Sequence, residues 1–177
     1  TVYNKIGLSS EAMTALQNAL NLDPSDTRPH LMLADLYKQR GMTDEAIESY
    51  KIILNINPED LKANLALSDL YKELGKTNEQ IDALKQAVAL GATDPRLYLE
   101  LGNLQLQNGS LTEGIETLSR CKELCSDSEE MLNKLIDVYL VRNCPQEALN
   151  ELEELRQKNP ENVDVYLKIA RIYKSQQ

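Results

Sequence analysis

The sequence repeats itself every 34 residues, and this period constrains the fold more than any other feature. Thr27–Asp60, TRPHLMLADLYKQRGMTDEAIESYKIILNINPED, is one complete unit. His30, Leu33, Ala34 and Tyr37 recur at helical spacing in its first half, and Ala46, Tyr50 and Ile53 do so in its second. Gly41 separates the two helical segments, and Asn57-Pro58 stops the second. Shifting the frame by one period keeps several columns in register. Leu33, Leu67, Leu101, Leu135 and Ile169 form one; Tyr3, Tyr37, Tyr71, Tyr139 and Tyr173 form another, interrupted by Gln105. Gly7, Gly41, Gly75 and Gly109 are followed by Asn143, the residue that best replaces glycine where a helix ends in a left-handed turn. Pro24, Pro58 and Pro160 close units, and a small-residue column on the second helix reads Ala12, Ala46, Gln80, Gly114, Ala148.

This set of columns resembles the tetratricopeptide repeat (TPR) family, whose unit is a helix–turn–helix of this length. The resemblance covers a partial unit 1–26, complete units 27–60, 61–94, 95–128 and 129–162, and a partial unit 163–177. It implies an all-α fold, a right-handed superhelical solenoid of antiparallel helix pairs, in a single array over residues 1–177. It implies binding without naming what is bound, so function has to be argued from a site.

Several local expectations follow from the residues. Residues 1–6 read as the tail of a first helix broken at Gly7, with Ser9 or Ser10 capping the next helix. On this reading the chain is a piece cut from a longer array. Thr43 and Thr77 read as caps of second helices, and Asp94 or Thr93 followed by Pro95 is a strong helix start. Gln80, in the small column, should hold its two helices apart or turn outward. Gly102 and Gly114 should let theirs approach closely, at about 1 kcal/mol each relative to alanine. Ile136, in the column of Ala34 and Gly102, should change the packing distance locally.

The net charge of −9 argues against sequence-independent nucleic-acid binding, and the largest basic cluster is Lys168, Arg171 and Lys174. No apolar run reaches the length of a membrane span, so membrane insertion is not expected. Of the three cysteines, Cys121 shares a small apolar column with Ala19 and Ala87, while Cys125 and Cys144 lie nearby in sequence. The only histidine, His30, is far from them, and a zinc site takes about four ligands, so neither metal nor cofactor is expected. Free thiols fit a reducing, cytoplasmic setting. No phosphate loop, nucleophile–base pair or pair of buried acids is present, and Glu147, Glu151 and Glu154 read as a solvated helix face; the chain does not read as an enzyme.

The resemblance places first helices on the concave face. There Asp35 and Lys38, then Asp69 and Lys72, stand three residues apart as exposed pairs, each worth about 0.2–0.5 kcal/mol. In the next two units the lysine becomes Leu106 and Leu140, with Val141 adjacent, and the acidic or amide group loses its local cation. The expected site is a peptide groove on 95–162. Leu99, Leu106, Leu140 and Val141 would give apolar contact, Asn103 and Asn133 would hydrogen-bond a peptide backbone, and Asp137 would accept from a basic side chain. The alternative is that neighbouring units cover this strip. The expected function is a non-catalytic protein–protein interaction scaffold whose partner is a protein or peptide with basic and apolar residues. Two other readings are a substrate-recruiting arm of a larger enzyme and an array that self-associates through its end repeats. The set of Lys, Arg and Asn with which some relatives hold a chaperone's C-terminal carboxylate is not matched, since those places hold Leu31, Leu65, Leu99 and Asp164.

Overall fold

The computed structural model describes residues 2–125 and 129–175; the side chains of residues 2–10, 130 and 131 lie outside the description, as does the place of Tyr3 in its column. The described residues form helices without strands: α1 Val2–Leu22, α2 Thr27–Gln39, α3 Thr43–Ile56, α4 Leu61–Glu73, α5 Thr77–Ala89, α6 Pro95–Gln107, α7 Leu111–Leu124, α8 Glu129–Val141, α9 Pro145–Lys158 and α10 Val163–Ser175. They gather into two compact units, Thr1–Thr93 with α1–α5 and Asp94–Gln177 with α6–α10. Among the described residues, no helix is long and apolar enough to cross a membrane.

The first helices α2, α4 and α6 start on aspartate. Asp26, Asp60 and Asp94 sit at N-cap positions and accept from the backbone N–H of Arg28 (2.9 Å), Ala63 (2.9 Å) and Arg96 (3.0 Å), with Pro95 in the first turn of α6. Second helices start differently. Thr43 and Thr77 are the first helical residues rather than caps; the cap positions are Met42 and Lys76, and neither makes a side-chain capping bond. The turn dictates this. Gly41 adopts φ 70° and the N–H of Met42 donates to the Tyr37 carbonyl at 2.9 Å, so a single residue separates the left-handed position from the new helix and becomes its cap whatever its chemistry. Glu45 and Glu79 still place negative charge in the first turns.

Gly75, Gly109 and Asn143 (φ 56°) make the same left-handed turn, as their column predicts. Gly91 adds another that the column does not contain: at φ 87° it ends α5, and Ala92 N–H donates to the Ala87 carbonyl at 3.1 Å. That closure stops the helix without a proline. The column fails at Gly7. Helix α1 runs through Gly7, Ser9 and Ser10 without a break, so neither serine is a cap. Glycine permits a left-handed turn but does not compel one, and costs a continuing helix only about 1 kcal/mol.

The core of the first unit is built on Ala34, Ala46, Tyr50, Ile53, Leu67 and Leu70, and that of the second on Leu118, Leu135, Ile136, Leu152, Leu155 and Val165. Each fully buried leucine or isoleucine contributes about 1.5–3 kcal/mol. The small column sets how closely partners pack. A Cβ built on Gly102 would lie 2.6 Å from Leu118 Cγ, and one on Gly114 would lie 2.6 Å from Leu106 Cγ and 3.1 Å from the Gly102 carbonyl oxygen. The two glycines therefore accept a leucine each and bring α6 and α7 into close contact. Ile136 is fully buried along with Ala148, a large residue with a small one in its unit. Gln80 does not turn outward; it is buried at 5% exposure.

Candidate peptide-binding face

In the first unit the first-helix face is polar. Asp35, Lys38, Asp69 and Lys72 are all exposed. Asp35 also accepts from the hydroxyl of Tyr50 at 3.4 Å, and burial, reinforced by the Asp35 charge, pushes that phenol up to about 12. In the second unit the corresponding face carries a hollow of about 260 Å³ between α6 and α8, lined by Asn103, Leu106, Gln107, Asp137, Val138, Val141 and Arg142. Four of the residues expected from the sequence meet there: Asn103, Leu106, Asp137 and Val141.

Their exposures separate them. Val141 is 82% exposed and Leu140 37%, so both present apolar surface to solvent. Leu99 is half-buried and packs on the core of the unit. Leu106 is a core residue at 3% exposure, which corrects its expected role as an accessible contact. The cause lies across the helix pair. Gly114 has no side chain, and Leu106 fills the space left, whereas the unit 27–60 has Ala46 at that place and an exposed lysine at position 38.

The polar members are not without a cation either. Lys168 Nζ on α10 donates to Asp137 Oδ1 (3.2 Å) and Asn133 Oδ1 (3.3 Å), replacing the local lysine with one supplied by the next first helix. Asn133 Nδ2 donates to the Glu129 carbonyl at 3.0 Å, so both ends of that amide already have partners. Asp137 keeps 65% of its side chain exposed, and a carboxylate has about four lone-pair sites, so capacity for a second donor remains. Arg142, which the column reading did not single out, reaches across the hollow and donates from Nη2 to the Leu106 carbonyl at the end of α6, a favourable place for a cation. A second, more polar hollow of about 210 Å³ lies between α8 and α10 and holds Asn133, Asn162, Lys168 and Arg171.

The remaining reactive groups have structural surroundings. Cys121 is buried, its thiol donates to the Pro95 carbonyl at 3.0 Å, and burial pushes it up to about 11, which disfavours the thiolate needed for nucleophilic or metal chemistry. His30 is half-buried on the wall of a hollow whose rim includes Asp44, Glu45 and Glu48 of α3, acids too distant in sequence to be recognised as its neighbours. Glu151 departs from the expected solvated face: it is buried at 9% exposure, and Lys122 of α7 approaches it at 2.7 Å and Glu154 at 2.6 Å. The hydrogen bond from Lys122 holds the Glu154 carboxyl below its usual range. Among the described residues, no group of three or more His, Cys, Asp or Glu side chains is placed to hold a metal ion.

A tetratricopeptide-repeat family model matches residues 9–57, and another matches residues 65–129. No curated protein matches the chain in sequence. Among solved structures, a MamA protein is similar at 25% identity and a TM-score of 0.63, over 85% of this chain and 82% of that one. YrrB, described as a TPR protein with an unusual peptide-binding site, is similar at 18% identity and a TM-score of 0.64, over 92% of this chain and 84% of its own. A tetratricopeptide repeat protein from Parabacteroides merdae is similar at 17% identity and a TM-score of 0.62, over 97% of this chain and 68% of its own.

Proposed function

Because the chain belongs to the tetratricopeptide repeat family, a fold of protein–protein interaction scaffolds, we propose that it holds an extended peptide on the first-helix face of its second unit. The observation that carries the reading is the 82% exposure of Val141 on the rim of a hollow that also contains Asp137, Asn103 and Arg142. Leu140 and Val141 offer apolar contact, Asp137 offers a carboxylate to a basic side chain, and Asn103 offers an amide to a peptide backbone. The contact surface is smaller than the columns suggest, because Leu106 closes the floor and Asn133 is engaged by Lys168. The peptide this surface favours carries one basic residue next to one or two apolar ones. No group at the hollow is arranged for bond making or breaking, and the role is recognition.

The test is a random peptide library displayed on phage and selected against the protein, with the winning peptides titrated against Val141→Glu and Asp137→Lys variants. Both positions are exposed, so both variants fold. Desolvating a valine contributes about 1.5–3 kcal/mol, so Val141→Glu should weaken binding about tenfold to a hundredfold. Asp137→Lys should select against the basic residue. Unchanged affinity in both variants removes the site from this face.

A further inference from the structure

We infer that the groove between α1 and α3, floored by α2, docks a partner protein through a short segment with one or two apolar side chains next to lysine or arginine. The hollow measures about 440 Å³, inside the range of about 300–1,000 Å³ that binding clefts take. Leu20 of α1 and Leu33 of α2 form its floor, and Ile52 of α3, 39% exposed, forms one wall. Asp44, Glu45 and Glu48 of α3 stand exposed along the rim. Among the described residues, no lysine or arginine lines it. The groove belongs to the first unit and is separate from the peptide face on α6 and α8.

The repeat itself shows what fills such a groove. Three periods on, Lys122 of α7 stands in the place of Leu20, and its Nζ reaches Glu151 at 2.7 Å and Glu154 at 2.6 Å on α9. One period on, Lys51 of α3 stands in the place of Gln17 and interacts electrostatically with Tyr71 of α4. Each of these copies takes a cation from the preceding second helix. At the α1–α3 copy that helix offers Gln17 and Leu20 instead, and the acids remain without a lysine from across the groove. Glu48 is held by Lys51 of its own helix at 2.8 Å, which leaves Asp44 and Glu45, in the first turn of α3, for a cation brought from outside.

Neighbouring repeats do not close this face. The corresponding copy on α3, α4 and α5 has α1 and α2 before it, yet Asn78, Glu79, Asp82 and Gln86 remain exposed. Likewise α4 and α5 follow α3 and leave Asp44, Glu45 and Ile52 exposed. An array continued before α1 would therefore leave the groove as open as its internal copy. Floor and rim together set the partner's chemistry. A cation alone gains only an exposed ion pair, worth about 0.2–1 kcal/mol. An apolar side chain flanked by acids is repelled by the rim, and a basic one next to an apolar one satisfies both.

Fluorescence anisotropy of the full chain with a labelled peptide of repeated Lys-Leu-Leu-Lys tests this, beside control peptides in which serine replaces leucine or glutamate replaces lysine. The Lys-Leu peptide should bind about tenfold or more tighter than either control. Two variants at exposed positions, their folding checked by circular dichroism, should each weaken it about tenfold. Asp44→Asn with Glu45→Gln removes the acids, and Gln17→Lys supplies an internal cation at the place of Lys51. Glu59→Gln with Asp69→Asn, which removes as much charge elsewhere on the first unit, should leave the affinity unchanged. A photoreactive group on the peptide should cross-link to α1, α2 or α3. No binding, or equal binding of the three peptides, overturns the inference. So does affinity that survives both groove variants, or equal weakening by the Glu59 and Asp69 control. Cross-links confined to α6 and α8 also overturn it and place the peptide on the other face. Wild-type mass that rises with concentration only while Asp44 and Glu45 are intact gives the groove to a second copy and overturns the partner.

Discussion

Leu106 and Gly114 are two halves of one packing decision. A Cβ on Gly114 would meet Leu106 Cγ at 2.6 Å, far inside van der Waals contact, and the backbone oxygen of Gly102 at 3.1 Å, a tight contact that a change of the Leu106 rotamer does not relieve. Gly114→Ala should therefore destabilise the protein by about 1–3 kcal/mol through overpacking, despite the gain of about 1 kcal/mol in helix propensity. Leu106→Ala alone should cost about 2–5 kcal/mol. The double variant should lose less than the sum, with a coupling of about 0.5–3 kcal/mol. Urea unfolding measures all three, and additive losses would show that the two residues do not share one space. The same pair shows what the sequence could and could not reveal at this scale. The change from Lys38 and Lys72 to Leu106 was visible as an anomaly in its column. Its direction was not, because whether a leucine faces solvent or core depends on the residue opposite, and Gly114 was read only for helix approach. Lys168 was hidden for a related reason: the pair it makes with Asp137 spans 31 residues, outside any local spacing rule, so a distant helix supplies the cation that Asp137 lacks on its own.

Helix ends were legible where chemistry and geometry agree. Asp94-Pro95 opens α6 as a capped start, and Asn143 takes the left-handed turn that the glycine column requires. They were misread where one residue was asked to fix a boundary by itself. Gly7 and Gly75 stand in the same column, yet Gly75 has φ 67° and Gly7 lies within α1. Alanine should act in opposite directions at the two positions. Gly7→Ala should stabilise α1 by about 1 kcal/mol and raise helical content. Gly75→Ala should destabilise by about 1–2 kcal/mol, since left-handed backbone penalises any Cβ. No atom lies within 4 Å of a Cβ built on Gly75, so the cost there is purely conformational. Circular dichroism with thermal unfolding reads both variants. Equal destabilisation by the two would mean that α1 breaks at Gly7 in solution.

At the scale of the molecule, stability in such an array is a sum of nearest-neighbour interfaces rather than one shared core. The repeat period therefore announced the helix pairs from α2 onward, while the unbroken α1 and the irregular units, with Gly102, Gly114 and Ile136, had to be seen packed. Helix α10 shows how this local arithmetic works. It buries Val165 at 2% and Ile172 at 4% exposure in the core of the second unit, and its Lys168 holds Asn133 and Asp137 of α8. Removing residues 163–177 should strip those two side chains away, at about 1.5–3 kcal/mol for each buried aliphatic. The exposed ion pair adds at most about 1 kcal/mol. The truncated protein should still fold, with a loss of about 3–7 kcal/mol by this count. Amide exchange should accelerate in α8 and α9, which lose their neighbour, and change far less in α2 to α4. The α8 face should also lose its internal cation, so a basic peptide should find Asp137 less occupied and bind it more tightly while the helix remains folded. Uniform acceleration of exchange through every helix would instead mean that the array unfolds as a single cooperative block.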